Sequence, residues 1–287
     1  MDNYTLLEKG VTTPGPIAIE IADVEQTHNL SSRSLLYHLK TLFLFTKSDF
    51  KTVILTTAHF GEGEFPDVWT IASRMPLMLM WIWVNLLVED IANQRLGGSV
   101  VEDAINKPWR PLPSGRISPE QARDWLLVAI LAAMGLSILS GGYTASITLM
   151  AFVWMYNDLD GSNSGIWIRN ALNAGGLMCF SWGALASLSG GELLPEGFAW
   201  IMATGAIIMT TVHAQDLPDI EGDMARGRQT VPLLYGEAAA RISLAVMVSF
   251  WGCNVSAGVE EYGPVVGRGG VEAVVPLGGG AVSSASI

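Results

Sequence analysis

Residues 124–141 read DWLLVAILAAMGLSILSG. One acid opens the stretch, and no charge follows it to the end of the run. A helix needs roughly 20 residues to cross the hydrocarbon core of a bilayer, and this run approaches that length. Working outward from it, five further apolar runs occur at about 71–91, 143–157, 166–188, 197–213 and 238–257. The run 143–157 is short, and is expected to tilt into its neighbours or to extend at its ends. Gly and Pro inside some of these runs are tolerable in a helical bundle. The expected fold is therefore all-α, a multi-span transmembrane helical bundle.

Composition agrees with that expectation. The 287 residues are 50% hydrophobic and only 15% charged, against about 25% charged in a soluble domain. The 16 Lys+Arg against 27 Asp+Glu leave a net charge of −11, which excludes a nucleic-acid binder with a basic face. The two cysteines, Cys179 and Cys253, both lie in apolar runs, so a disulfide scaffold is excluded as well. The opening MDNYTLLEKG has neither the basic n-region nor the apolar h-region of a signal peptide. Residues 1–33 are expected to form a polar tail. Residues 34–50 (SLLYHLKTLFLFTKSDF) are amphipathic and suit a helix lying at the membrane interface. The run from Val53 to Phe60 is too short to span alone, and GEGEFPD at 61–67 is poor membrane sequence. The transmembrane domain is expected over 34–257, followed by a disordered Gly/Val-rich tail over 258–287.

Charges between the spans set the expected orientation. Residues 92–123 carry Arg95, Lys107, Arg110, Arg116 and Arg123, and residues 214–237 carry Arg226 and Arg228. The stretches 158–165 and 189–196 carry no cation. By the positive-inside rule, 92–123 and 214–237 face the cytosol. Four crossings separate them, so parity puts them on the same side. The same two stretches hold the closely spaced acids and cations, and few ionisable groups lie at mid-span in the apolar runs. That argues against a transporter or channel, which would place them at mid-span along a pathway.

The second of these stretches reads HAQDLPDIEGDMARGRQTVPLLYG. Spacings of three and four would stack Asp216, Asp219 and Asp223 on one helical face, whereas Pro218 and Gly222 suggest a bent or partly unwound segment. Carboxylates this close repel one another unless a cation sits among them. Their hard oxygens suit Mg2+, which is usually shared with substrate phosphates. The first stretch reads EDIANQRLGGSVVEDAINKPWRPLPSGRIS. It too sets acids first (Glu89, Asp90, Glu102, Asp103) and cations after (Lys107, Arg110). Acids at a metal with Lys and Arg nearby are how proteins handle a diphosphate. Taken singly, each stretch could also be a solvated acidic loop.

NKPWRPLPSGRIS at 106–118 and DLPDIEGDMARGRQTVP at 216–232 resemble the two signature loops of the UbiA superfamily of intramembrane prenyltransferases. YNDLDG at 156–161 and RNALNAGG at 169–176 are similar to fungal members, and the resemblance runs from about residue 35 to 250. It implies an all-helical bundle, normally of nine spans, whose two acidic loops bind an isoprenyl diphosphate through Mg2+. Loss of the diphosphate leaves an allylic cation. Most members pass the prenyl group to an aromatic or otherwise lipophilic acceptor; others close the cation on itself as terpene cyclases.

The resemblance makes Asn93 and Asp103 the first and last ligands of the first motif, and Asp216, Asp219 and Asp223 the second motif. These five residues are the expected metal set, with the four aspartates catalytic. Lys107, Arg110 and Arg226 become diphosphate-facing cations, and Glu102 supplements the first motif. That motif departs from the transferase pattern: Gln94 and Ser99 stand where Asp is expected, and ten residues rather than eight separate Asn93 from Asp103. The departure keeps a membrane terpene cyclase open as an alternative. The chain shows six or seven of the nine implied spans, which implies a C-terminally incomplete member and leaves an inactive truncated remnant as a further alternative. If the cell is eukaryotic, the membrane expected is that of the endoplasmic reticulum.

Inside the spans, Asn170 and Asn173 lie one turn apart beside Arg169. Polar groups at this depth face either a cavity or another helix, and Asn170 and Asn173 are candidate substrate-binding residues. Trp81, Trp83, Trp154, Tyr156, Phe180 and Trp182 could stabilise a cation with their ring faces, or could simply contact lipid or form interface belts. His213 beside the second loop is either a proton acceptor or a helix-end packing residue.

Overall fold

In a computed structural model, residues 34–50, 53, 68–191, 193 and 195–262 are described. Among them there are helices and turns and no strands. The chain divides into two compact units, Met1–Phe43 and Leu44–Ile287. Helix α1 is Leu35–Thr46, and within the first unit its described part is helical from Leu35. The tail expected over 1–33, the segment 54–67 and the end of the tail from 263 lie outside the described residues.

The second unit holds α2 (Val68–Gln94), α3 (Gly97–Asn106), α4 (Pro119–Ser140), α5 (Tyr143–Asn157), α6 (Ile166–Ser189), α7 (Pro195–Thr211), α8 (Ile220–Arg226), α9 (Val231–Tyr235) and α10 (Glu237–Tyr262). A helix occupies each of the six apolar runs. Four of them, within α2, α4, α6 and α7, are long and apolar enough to cross a membrane. At about 1.5 Å per residue, the 15 residues of α5 fall short of a full crossing. Helix α10 runs to Tyr262, past the change in composition at Gly258.

Local sequence explains where α4 starts and stops. Ser118 Oγ accepts from the Gln121 backbone N–H at 3.2 Å, and Gln121 Oε1 accepts from the Ser118 N–H at 2.9 Å. This reciprocal pair, with Pro119 at the first helical position, satisfies N–H groups that a helix start leaves free. Gly141, at φ 88°, ends the helix in a left-handed conformation that costs glycine little.

Helices α2 and α6 form the centre: α2 packs on α4, α5 and α6, while α6 also packs on α5 and α7. The largest side chain at the crossing is Trp81, which is fully buried. Gly183 and Gly142 leave room for its ring, since a Cβ at either position would collide with it. Phe180 meets Trp81 edge-on, with centroids 6.3 Å apart. Trp81 Nε1 donates to Ser137 Oγ at 2.8 Å. Ser137 and Ser146 are hydrogen-bonded, and Ser146 donates to Asn85 Oδ1 at 2.9 Å. A polar chain thus ties α4 and α5 to α2 at a depth where water cannot serve as partner.

Close approaches define two ends of the bundle. Gly141 packs against the Gly191 backbone with no room for a Cβ at Gly141, and Arg74 lies against Gly190. At the opposite end Arg95 is ion-paired with Asp158. Residues 92–123 and 158–165 thus share one end, and 141–142 and 189–191 share the other.

Candidate active site

The two acid-bearing stretches meet where α3 packs on α8. The first, read as a loop from sequence, contains the ten-residue helix α3. The second is bent, as Pro218 suggested. A 3-10 turn over Val212–Asp216 continues α7, the chain breaks at Leu217–Asp219, and α8 restarts at Ile220. Asp216 and Asp223 are buried on either side of this break, while Asp219 is partly exposed at the N-cap of α8.

Each aspartate of the expected metal set, and Glu102, has a basic partner. Lys107 Nζ lies 2.7 Å from Asp219 Oδ2, and Arg169 Nη1 lies 2.7 Å from Asp216 Oδ1. Arg110 Nη1 donates to both oxygens of Asp103, at 2.9 and 3.1 Å, while its Nη2 donates to Asp49 at 3.0 Å and lies 4.0 Å from Asp90. Glu102 Oε2 takes both Arg226 at 2.9 Å and Arg228 at 3.1 Å, and Arg228 also reaches Asp223 at 3.5 Å. Ser99 Oγ donates to Asn93 Oδ1 at 3.2 Å and accepts from Arg226 at 2.9 Å, which links the opening Asn of the first motif to the second stretch. Gln94 turns the other way, toward Phe45 O and Asp90.

Burial shapes the charges. It raises the Asp103 carboxyl above the usual carboxylate range, against the lowering effect of Arg110. It pushes Asp223 up to about 7, helped by the charge of Glu102 and opposed by Arg228 and Arg169. For Arg110 burial acts to lower the guanidinium, but Asp103, Asp49 and Asp90 together raise it above its ordinary value.

Among the described residues, no three His, Cys, Asp or Glu side chains are gathered closely enough to hold a metal ion. The expected set of Asn93, Asp103, Asp216, Asp219 and Asp223 is thus brought to one end without converging on one point. The donor chemistry nevertheless fits Mg2+. Oδ2 of buried Asp216 and Oδ2 of buried Asp223 have no hydrogen-bond partner, while Arg169 already stands 2.7 Å from Asp216 Oδ1. Buried carboxylate oxygens in that condition are costly unless a cation or donor joins them.

The polar residues of α6 part company. Asn170 Nδ2 donates to Met209 O on α7 at 3.3 Å, a helix–helix bond, whereas Asn173 Nδ2 is buried with no partner. Trp81 and Phe180 are core, and Trp154 faces outward. His213 Nε2 lies 3.0 Å from Ser243 Oγ and 3.3 Å from Ala240 O, fastening the end of α7 to α10. The sequence reading assigned no site role to Arg169, Arg228, Asp49, Asp90 or Asn106. Arg169 carried a usable signal, since a lone arginine in an apolar run demands a buried counter-charge.

The UbiA prenyltransferase family profile matches residues 53–275, and the chain belongs to that family of integral membrane enzymes. It is 34% identical over 219 residues, 74% of this chain and 72% of the other, to the fumagillin beta-trans-bergamotene synthase af520 of Aspergillus fumigatus. It is 27% identical over 244 residues, 79% of this chain and 74% of the other, to the diterpene cyclase eriG of Hericium erinaceus. A UbiA homolog from Archaeoglobus fulgidus, solved bound to GPP and Mg2+, shares the fold at a TM-score of 0.60 and 15% identity, over 76% of this chain and 77% of that one.

Proposed function

We propose that this chain ionises an isoprenyl diphosphate, held with Mg2+ between α3 and the segment Asp216–Asp223. The observation that carries this reading is the docking of α3 on α8, which sets Asp103, Asp219 and Asp223 at one end of the bundle among five basic side chains: Lys107, Arg110, Arg169, Arg226 and Arg228. Asp103, Asp216, Asp219 and Asp223, with Asn93 as a neutral oxygen donor, are the residues that would hold the metal. Bound there, Mg2+ would neutralise charge that builds on the departing diphosphate.

The protein's own pairs prepare for such a ligand. Asp216 with Arg169, and Asp219 with Lys107, are each one anion and one cation in contact. A metal diphosphate offers the same two charges. With Mg2+ and a diphosphate bound, these carboxylates would hold the metal, and Lys107 and Arg169 would be available to donate to phosphate oxygens. As the C–O bond breaks, its electron pair leaves with the diphosphate, where Lys107, Arg169, Arg226 and Arg228 stabilise it. Asn170 and Asn173, further along α6 than Arg169, would then be the polar residues nearest the prenyl chain.

Two fates of the allylic cation are open. Ring closure within the prenyl chain is supported by the fungal relatives, which are named as a terpene synthase and a diterpene cyclase, and by the neutral Gln94 and Ser99 in the first motif. Transfer to an aromatic or lipophilic acceptor is the second reading, supported by the family description. Membranes carrying the chain should be incubated with geranyl, farnesyl or geranylgeranyl diphosphate and Mg2+, and the organic extract analysed. A cyclic hydrocarbon formed without added acceptor supports closure. Product formed only when an acceptor is added supports transfer, and no Mg2+-dependent release of pyrophosphate contradicts both. In the proposed orientation the site faces the cytosol, at the endoplasmic reticulum of a eukaryotic cell.

A further inference from the structure

We propose that Asn106 is a positioning residue that sets the second acidic segment against the first. This inference rests on the functional reading above only for the ligand, not for the geometry. Asn106 closes α3 one turn after Asp103, and its side-chain amide meets the start of α8 from both sides. Its Nδ2 donates to Asp219 O at 3.0 Å, and its Oδ1 accepts from the Gly222 backbone N–H at 3.0 Å.

The Gly222 N–H belongs to the first turn of α8, whose N–H groups have no partner within the helix. The N-cap residue Asp219 makes no side-chain cap bond; it is occupied by Lys107 instead. Asn106 therefore caps α8 from a different helix, across 116 residues of sequence. Gly222 is required for this approach, since a Cβ there would fall on the Asn106 amide.

The consequence is geometric. Asp219 and Asp223 flank the two backbone groups that Asn106 holds, and Asp103 is three residues before it. One amide thus fixes how far the acids of the two motifs stand from each other. The pair of bonds needs a donor and an acceptor on one short side chain: Asp lacks the donor for Asp219 O, Ala lacks both groups, Lys has no acceptor for Gly222, and Gln carries the amide on a stem one methylene longer. Groups that orient metal ligands in this way typically change metal affinity by about 10–100-fold when removed.

The test uses the full chain in a membrane mimetic with Asn106→Ala, Gly222→Ala and the double variant. Binding of inorganic pyrophosphate in the presence of Mg2+ is measured by calorimetry, beside thermal unfolding without ligand. We expect Asn106→Ala to weaken pyrophosphate binding at least about tenfold while the chain still unfolds cooperatively. Gly222→Ala should cost stability and binding when Asn106 is present, and add little to either in the Asn106→Ala background. Binding by Asn106→Ala within about twofold of the parent overturns the proposal, as do unfolding shifts that add as if the two sites were independent. A parent chain that binds no pyrophosphate contradicts the proposed function instead; the unfolding cycle then still decides the role of Asn106.

Discussion

Lys107 Nζ lies 2.7 Å from Asp219 Oδ2 and joins two stretches 112 residues apart in sequence. Asp103 is one helical turn before Lys107, so this ion pair brings the closing acid of the first motif and the middle acid of the second to the same end of the bundle. A single diphosphate can be gripped from both sides only under that condition.

Removing either acid removes one side of the grip. Asp219→Ala and Asp103→Ala should each lower pyrophosphate release from a prenyl diphosphate by about 10²–10³, the scale of loss when one preorganised charge-stabilising group is deleted. Release rates within about tenfold of the parent would count against the assigned roles.

Arg110 answers to more than one carboxylate. It is bonded to Asp103 and Asp49 and faces Asp90, and its side chain is 9% exposed. Arg110→Ala leaves buried acids without their counter-charge, which costs roughly 3–5 kcal/mol for such pairs. The expected result is a large fall in unfolding temperature without ligand, with Arg110→Lys intermediate because one ammonium cannot reach both faces. An unchanged unfolding temperature would leave Arg110 free for the diphosphate alone.

The raised Asp223 carboxyl gives two pH effects of known sign. Without metal, the folded chain keeps a proton at Asp223 up to about pH 7, whereas the unfolded chain releases it near the ordinary value. Its contribution to stability is therefore present at low pH and lost as pH rises through about 7. Metal binding needs the ionised form, so Mg2+ affinity should increase over the same window with release of a proton. Asp223→Asn should flatten both profiles, as read by unfolding and by calorimetry in buffers of different ionisation enthalpy. A Mg2+ affinity that does not change with pH across that window would contradict the assignment.

Far from the acids, Gly183→Ala should destabilise the bundle by about 1–3 kcal/mol, the usual cost of overpacking, because the added methyl meets the ring of Trp81. Trp81→Phe in the same chain should recover part of that loss. Equal stability of Gly183→Ala and the parent would mean that α2 and α6 do not cross as described.

The fold was legible because bilayer thickness imposes a length on apolar runs, and each such run, including DWLLVAILAAMGLSILSG, became a helix. The reciprocal cap of Ser118 and Gln121 lay in plain sight next to that run. The site was legible only as two sets of residues. Nothing local in the sequence pairs Arg169 with Asp216 or gives Glu102 to both Arg226 and Arg228, since those contacts depend on how α3, α6 and α8 pack. Asn106 read as one polar residue among several, because its role exists only where Gly222 lets the two backbones approach. The aromatic residues stood open between a cation chamber and lipid or interface contact, and Trp81 and Phe180 do neither, because their rings fill the core where α2 and α6 cross.

The central claim is that the two motifs hold metal and diphosphate together, and ligand-linked unfolding of the detergent-solubilised chain tests it most directly. The account predicts that Mg2+ and pyrophosphate added together raise the unfolding temperature well beyond the sum of their separate effects, as expected of a joint ligand of the folded state. It also predicts that Asp103→Ala and Asp219→Ala each abolish that excess. Stabilisation that is merely additive, or that survives both substitutions, would contradict it.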